Sequence, residues 1–552
     1  MRIMFLDTPR RPSRSALSLV LLASLWLATV GNLALWRTLR DVPDLSGWHG
    51  AVFGVAFALI IASALTALLA LVAWRWTLKP AISLLLLLAA FATYYMLMYG
   101  IVVDTPMVIN VFQTDPREAR DQLSWRLALT VVVLAVLPII WLWRQPMTAA
   151  PLGKQVLRNV LLCVASLAVT LGTTQLVFQD FASLMRNHTQ LRYQINPLNS
   201  VYALLDLTVI PGDQPSGPLQ PLGQDAHITS RAGTAQRPPL LLFVLGETAR
   251  SANFSLNGYA RLTNPLLAKE NVTSFTHVAS CGTSTAESVP CMFSHLGREG
   301  FAKRSHDFEN WLDVMQRAGY AVLWMDNQSG CKDQCNRIPN LNTSELKLPD
   351  QCEDGECRDT VMLTQIDQEL AKLPAERRAR GTVVVMHQMG SHGPAYFKRT
   401  PAAFKPFVPE CTDTSLSQCS QAQVVNAYDN TLVFTDYFLS RAIGWLKDKE
   451  KSAATALFYV ADHGESLGEN NLYLHGLPYA MAPAEQKQVP LITWLSPTFE
   501  TQSRIKTSCL QKQRDRALSH DHLFHSVLGL MAVKTEVYQP TLDLFADCAN
   551  NR

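Results

Sequence analysis

Charge is missing from five long stretches near the start of this 552-residue chain. No Asp, Glu, Lys or Arg occurs at 15–36, 48–74, 80–103, 127–143 or 159–179, and each stretch is near the ~20 residues that cross ~30 Å of hydrocarbon. Few soluble folds stack five such segments in succession, which excludes an ordinary soluble helical domain. The first stretch is also longer than the apolar region of a cleaved signal peptide. Cysteine is scarce in the same half: of eleven, only Cys163 lies before Cys281. Paired Cys-x-x-Cys units are absent, which argues against a zinc–thiolate site. With a formal net charge of only +3 and no basic stripe interleaved with aromatics, the chain offers nothing to a nucleic acid.

The basic residues give the five spans an orientation. Arg2, Arg10, Arg11 and Arg14 precede span one, Arg75 and Lys79 lie between spans two and three, and Arg144, Lys154 and Arg158 lie between spans four and five. By the positive-inside rule these ends face the cytoplasm, so the N-terminus is expected inside and everything after about Asp180 outside. Residues 1–179 are therefore expected to form a transmembrane domain, 180–238 a connector, and 239–552 an exported domain. Phe181 to Leu207 has apolar residues spaced for an amphipathic helix lying on a bilayer, or serves as a structural linker alone, and Pro211-Gly212 and Pro215-Ser-Gly-Pro218 mark turns after it.

Ten cysteines follow the last span, and an even number in an exported domain suggests disulfides. Proximity suggests Cys281 with Cys291, Cys331 with Cys335, Cys352 with Cys357, Cys411 with Cys419, and Cys509 with Cys548. From Pro239 onward, apolar runs at 240–245, 320–325, 382–386, 455–460 and 489–495 alternate with helix-like segments near 306–318, 358–373, 421–448 and 519–531. That alternation predicts an α/β domain built on a mostly parallel sheet.

Chemistry gathers where such strands end. Glu247 closes the run Phe243-Val-Leu-Gly-Glu-Thr-Ala-Arg250, and Asp462 and His463 close Tyr459-Val-Ala-Asp-His-Gly-Glu465. Two hard oxygens and an imidazole suit zinc and would also admit manganese. Between them in sequence, Cys281-Gly-Thr-Ser-Thr-Ala286 is a hydroxyl-rich turn that can open a helix. Thr283, Ser284 or Thr285 could supply a nucleophile to a metal-held oxygen position, or could merely cap the helix. Spacing alone does not choose among them. His387, His392 in Gly-Ser-His-Gly-Pro and His475 in Leu-His-Gly-Leu-Pro add imidazoles for a second cation or a phosphate clamp. Glu465 could tune the ligands and Lys332 could neutralise a phosphate, or either could be a solvated surface charge.

The strings Gly-Glu-Thr-Ala-Arg, Cys-Gly-Thr-Ser-Thr-Ala-Glu-Ser-Val-Pro-Cys-Met-Phe, Gly-Ser-His-Gly-Pro, Ala-Asp-His-Gly-Glu-Ser-Leu-Gly-Glu and Leu-His-Gly-Leu-Pro-Tyr together resemble the lipid A phosphoethanolamine transferases of Gram-negative bacteria, the polymyxin-resistance type. The resemblance extends into the membrane half through Met107-Val-Ile-Asn-Val-Phe-Gln-Thr-Asp-Pro-Arg-Glu118 and Asn196-Pro-Leu-Asn-Ser200. It implies an N-terminal bundle of five transmembrane helices and a periplasmic α/β/α sandwich of alkaline-phosphatase or sulfatase type. It implies that Thr285 is the nucleophile and that Glu247, Thr285, Asp462 and His463 hold one tightly bound zinc. His392 and His475, with Glu465 beside them, match catalytic positions and could hold a second zinc. Ser329 and Lys332 match substrate contacts, and Asn110, Thr114 and Glu118 match residues that meet the donor's ethanolamine head group. The expected donor is phosphatidylethanolamine and the expected acceptor is lipid A or lipopolysaccharide. Core heptose or a periplasmic glucan is the alternative acceptor, and a monomeric enzyme in the inner membrane is expected. A sulfatase of the formylglycine kind is disfavoured, because Cys291-Met-Phe-Ser-His lacks the Cys/Ser-x-Pro-x-Arg pattern.

Overall fold

The computed structural model describes residues 14–549 apart from 115, 149, 189, 209–214, 216, 230–235, 347 and 354–355. Arg2, Arg10 and Arg11, and the turn at Pro211-Gly212, lie outside the described residues. The chain forms two compact units: residues 1–108 with 123–210, and residues 109–122 with 211–552.

Among the described residues of the first unit, five helices are long and apolar enough to cross a membrane: Ala16–Arg40, Gly47–Leu71, Leu78–Tyr99, Trp125–Trp143 and Leu152–Leu176. Leu27, Phe53, Phe57, Leu65 and Leu86 pack inside, while Val55, Leu84 and Leu161 stay exposed, as apolar groups can where lipid is the solvent. Polar side chains supply the specific contacts. Ser63 Oγ lies 2.7 Å from Thr170 Oγ1, and Asn196 accepts and donates against Asn32: its N–H gives to Asn32 Oδ1 at 2.7 Å, and Asn32 Nδ2 gives back to Asn196 O at 2.5 Å. In hydrocarbon such groups need partners inside the protein. The same demand explains a contact in span four. Pro138 has no N–H to offer Leu134 O one turn back, and Trp26 Nε1 donates to that carbonyl at 3.3 Å. Over the segment expected as one amphipathic helix, the chain forms three: Phe178–Asn187, Gln190–Tyr193 and Leu198–Thr208. Pro197, which cannot donate within a helix, separates the last two.

The second unit is built on a seven-stranded sheet. In chain order its strands are β1 (Pro239–Gly246), β2 (Val272–Phe275), β3 (Ala321–Asp326), β4 (Asn340–Asn342), β5 (Thr382–His387), β6 (Ala454–Ala461) and β7 (Leu491–Leu495). Their order across the sheet is β2-β7-β6-β1-β5-β3-β4. The four pairings from β6 to β4 are parallel, whereas β7 runs antiparallel to both its neighbours. β1, β5 and β6 are buried throughout, which is why they read as unbroken apolar runs.

Register then decides what meets at the sheet's carboxyl end. Gly246 pairs with Ala461, Leu245 with His387 and Asp326 with His387, so Asp462, Glu247, His387 and Asp326 sit side by side at or just past the ends of four neighbouring strands. Phe243 stacks on its register partner Phe458 with ring centroids 5.3 Å apart. Phe293, which ends the helix Thr285–Met292, stacks on Trp311 at 4.9 Å. Such pairs add about 0.5–1.5 kcal/mol each beyond area burial, and here they anchor the far end of that helix in the core. Five disulfides join Cys281 to Cys291, Cys331 to Cys335, Cys352 to Cys357, Cys411 to Cys419 and Cys509 to Cys548.

Candidate metal and nucleophile site

Thr285 is the first residue of the helix Thr285–Met292, following the extended Ser284. Its Oγ1 lies 3.1 and 3.2 Å from the two carboxylate oxygens of Glu247 and 3.3 Å from His463 Nε2. Thr283 points elsewhere, its hydroxyl donating to Leu477 O at 2.6 Å. Of the three candidate hydroxyls, Thr285 therefore has the carboxylate and imidazole contacts. Its place at a helix start also puts unpaired backbone N–H groups, and the positive end of the helix dipole, beside any phosphoryl group it meets.

Glu247, Asp462 and His463 offer one ligand atom each within 4.8 Å of one another, and all three are buried. His463 Nδ1 donates to Gly464 O at 2.9 Å, which leaves the Nε2 lone pair facing the group. Asp462 Oδ1 accepts from the N–H of Thr248 at 3.0 Å and of His463 at 2.7 Å. Its Oδ2 is buried without a hydrogen-bond partner. An orphaned carboxylate oxygen is costly unless a cation meets it, so the donor set fits a zinc ion held by two carboxylates, an imidazole and the threonine oxygen. Burial, and then the charge of Glu247, push the Asp462 carboxyl up to about 6. Burial also acts to raise Glu247, but His387, His463 and His392 outweigh it and hold that carboxyl below the usual range.

Two departures from relaxed backbone bring these groups together. Thr248 has φ 57°, a left-handed value that strains a β-branched residue. It is held there by Asp462 on its N–H and by the Tyr428 hydroxyl, which donates to its carbonyl at 2.9 Å. Gly390 has φ 51°, and a Cβ there would stand 2.7 Å from Glu247 O, so only glycine lets this loop cross the ligand's backbone.

Around the triad stand paired histidines. His387 Nδ1 is 3.0 Å from Asp326 Oδ2, and its Nε2 is 3.8 Å from Glu247 Oε2. Burial lowers the His387 imidazole, but the charge and hydrogen bond of Asp326 raise it more, to about 10. His475 Nδ1 is 2.8 Å from Glu465 Oε2, and Tyr396 Oη donates to the other oxygen of Glu465. Burial lowers His475 and Glu465 more than reverses it, to about 9. The His475 ring lies 4.2 Å from His463 and 5.6 Å from His392, centroid to centroid, so these three imidazoles share the site. His392 is driven down to about 3, first by burial.

One member has no signal in the sequence: His520. Its Nδ1 accepts from Cys281 N–H at 3.0 Å, and its Nε2 donates to Ala461 O at 3.0 Å. It thus ties the turn that leads into Thr285 to the strand end that carries Asp462. Ser288 Oγ adds a bond to Asp462 O at 2.5 Å. Nothing near residue 520 in sequence marks a partner at Cys281.

Ser329 and Lys332 meet in the loop after β3: Lys332 Nζ donates to Ser329 Oγ at 2.9 Å and to Gln113 O at 3.3 Å. They line a cavity of about 420 Å³ that also takes in Gln113, Trp324, Asp326 and Asn336. Thr114 Oγ1 donates to Asn110 O at 2.7 Å, so these two lie together, with Thr114 next in the chain to the Lys332 contact at Gln113. The Glu118 side chain lies outside the described residues.

Comparison with known proteins adds a family. Residues 61–209 match the family model described as phosphoethanolamine transferase EptA/EptB, and residues 239–533 match the sulfatase model. The chain is 39% identical over 553 residues to the phosphoethanolamine transferase EptA of Escherichia coli K12, covering 98% of each. It is 36% identical over 536 residues to the phosphatidylethanolamine transferase Mcr-1 of Escherichia coli, covering 95% of this chain and 96% of that one. Among solved structures, the integral membrane lipooligosaccharide phosphoethanolamine transferase A of Neisseria meningitidis superposes with TM-score 0.91 at 33% identity, covering 98% of this chain and 100% of that one.

Proposed function

The chain belongs to the phosphoethanolamine transferase family, and from that premise we propose that it carries phosphoethanolamine from phosphatidylethanolamine to a phosphate of lipid A by two displacements at Thr285. The observation that carries this reading is Thr285 Oγ1 at 3.1 Å from Glu247 and 3.3 Å from His463. Glu247, Asp462, His463 and the Thr285 oxygen would hold zinc, which when bound lowers the pKa of a coordinated hydroxyl and offsets charge developing at phosphorus. Were a second zinc bound, it would take His392 and His475 in place of the acid role given to His475 below.

In the first displacement the Thr285 oxygen bonds to phosphorus as the bond to the diacylglycerol oxygen breaks, and the hydroxyl proton leaves to solvent. His475, held through Nδ1 by Glu465, presents Nε2 to protonate the departing alkoxide. In the second, an oxygen of the lipid A phosphate bonds to phosphorus as the bond to Thr285 Oγ1 breaks; the acceptor's proton returns to His475, and Thr285 recovers one from solvent. Ser329 and Lys332 meet the donor phosphate, and Asn110, Thr114 and Glu118 its ammonium head. Confinement of donor and acceptor to one leaflet raises their effective concentration at the site.

The membrane is the inner membrane, with the N-terminus cytoplasmic and the catalytic unit periplasmic, following the basic residues of the cytoplasmic loops. Adding an ammonium to lipid A partly cancels its phosphate charge and weakens its attraction for cationic peptides such as polymyxin. Mass spectrometry of lipid A from expressing cells tests the reading. Phosphoethanolamine on lipid A supports it; the group found only on core heptose or on a periplasmic glucan replaces the acceptor.

A further inference from the structure

Between spans three and four, residues 109–122 belong to the second unit although the chain on either side belongs to the first. What holds this segment there is a cluster of buried charge. Asp121 is 3% exposed at its side chain, and Arg399, 278 residues away, is also 3% exposed. Arg399 Nη2 donates to Asp121 Oδ2 at 3.1 Å, its Nη1 to Glu356, and its Nε to His392 O at 3.0 Å. Lys398 Nζ donates to Asp121 Oδ1 at 2.5 Å. Two cations meet two carboxylates, so the buried charge balances.

A guanidinium is a rigid planar fork, and three acceptors on it fix three pieces of chain in mutual register. Here the pieces are the Gly-Ser-His-Gly-Pro loop through His392 O, the strand that ends at the disulfide-bonded Cys357 through Glu356, and the interspan segment through Asp121. Apolar side chains of the same volume hold segments together about as well as a buried ion pair. What the ions add is direction. At the other end of the segment Gln113 O rests on Lys332 Nζ at 3.3 Å, so the stretch that contains Thr114 is pinned on both sides.

We infer that Asp121 is a positioning residue for the donor head group: through Lys398 and Arg399 it holds residues 109–122 on the catalytic unit, in register with the loop that carries His392. The inference rests on the reading that Asn110 and Thr114 meet the ethanolamine head. Its consequence is that the segment's placement governs donor binding more than the displacement at Thr285.

The test uses the full-length enzyme in lipid vesicles, with initial transfer rates to lipid A measured against the mole fraction of phosphatidylethanolamine. Asp121→Asn removes the charge and keeps the shape; KM for the donor is expected to rise by about tenfold, as for a displaced binding group, with kcat changed by less than about twofold. Asp121→Glu is expected to restore most of the loss. Lys398→Gln, at a side chain 39% exposed, is expected to shift KM the same way by less, and it carries the test if Asp121→Asn does not fold. The inference is overturned if Asp121→Asn or Lys398→Gln keeps the wild-type KM, if kcat falls while KM stays, or if Asp121→Glu behaves no better than Asp121→Asn. A wild type that transfers nothing to lipid A would instead bring down the proposed function, whatever Asp121 does.

Discussion

Thr285 Oγ1 sits astride the Glu247 carboxylate, 3.1 Å from one oxygen and 3.2 Å from the other, though 38 residues of chain separate them. One residue opens a helix and the other ends a strand. Their meeting sets a hydroxyl against a buried carboxylate, the pair to which the proposed displacement assigns the nucleophile and a cation ligand.

Metal removal tests the cation. With Asp462 Oδ2 orphaned and buried, chelation is expected to abolish transfer and added zinc to restore it. Glu247→Gln is expected to lose bound metal and to slow transfer by at least about 100-fold, at or above the scale of an outer-shell loss. Zinc per protein by elemental analysis, measured beside activity, checks both. Full activity in protein shown to be metal-free contradicts them.

His520 gives a pH dependence of stability. Burial first, and then the charge of His463, hold its imidazole down to about 3 against an ordinary 6.5. Its Nδ1 must stay unprotonated to accept from Cys281. Below pH 6.5 the unfolded chain takes a proton that the folded chain refuses, so stability falls as pH drops from 6.5 toward 3, by at most about 1.4 kcal/mol per pH unit from this group. Asn at 520 can reproduce one donor and one acceptor without titrating. Denaturant midpoints of wild type and His520→Asn between pH 7 and 4 are expected to diverge in slope, with the wild type steeper. Equal slopes would remove His520 as the source.

The disulfide that brackets Thr285 closes a loop with sequence separation 10. Replacing Cys281 and Cys291 together by serine is expected to cost about 3 kcal/mol by the loop-entropy argument. Because Cys281 N–H is also the partner of His520, transfer should slow as well. Thermal unfolding under oxidising and reducing conditions measures the first effect and single-turnover kinetics the second.

The strand ends were legible because β1 and β6 are buried on both faces. An unbroken apolar run terminated by Glu247, or by Asp462 and His463, is the one-dimensional trace of that burial. The edge strands Val272–Phe275 and Asn340–Asn342 left no comparable trace, being four and three residues long and rich in Ser, Thr and Asn. The helix near 306–318 starts only at Trp311, where the Asn310 side chain and Asp313 form a capping box. What was illegible is what depends on distant pairing. The bonds from His520 to Cys281, from Tyr396 to Glu465 and from Arg399 to Asp121 join residues 239, 69 and 278 apart, and no local pattern encodes such partners. The choice of Thr285 over Thr283 or Ser284 was open for the same reason: it turns on which hydroxyl the helix start aims at Glu247.

The most direct measurement is the intact mass of the purified enzyme after exposure to phosphatidylethanolamine without acceptor, with peptide mapping of any added group. The expected result is one phosphoethanolamine on Thr285 of the wild type, discharged when lipid A is supplied, and none on a folded Thr285→Ala protein that still binds zinc. An adduct that persists on Thr285→Ala, or one mapped to another residue of the wild type, would contradict the account.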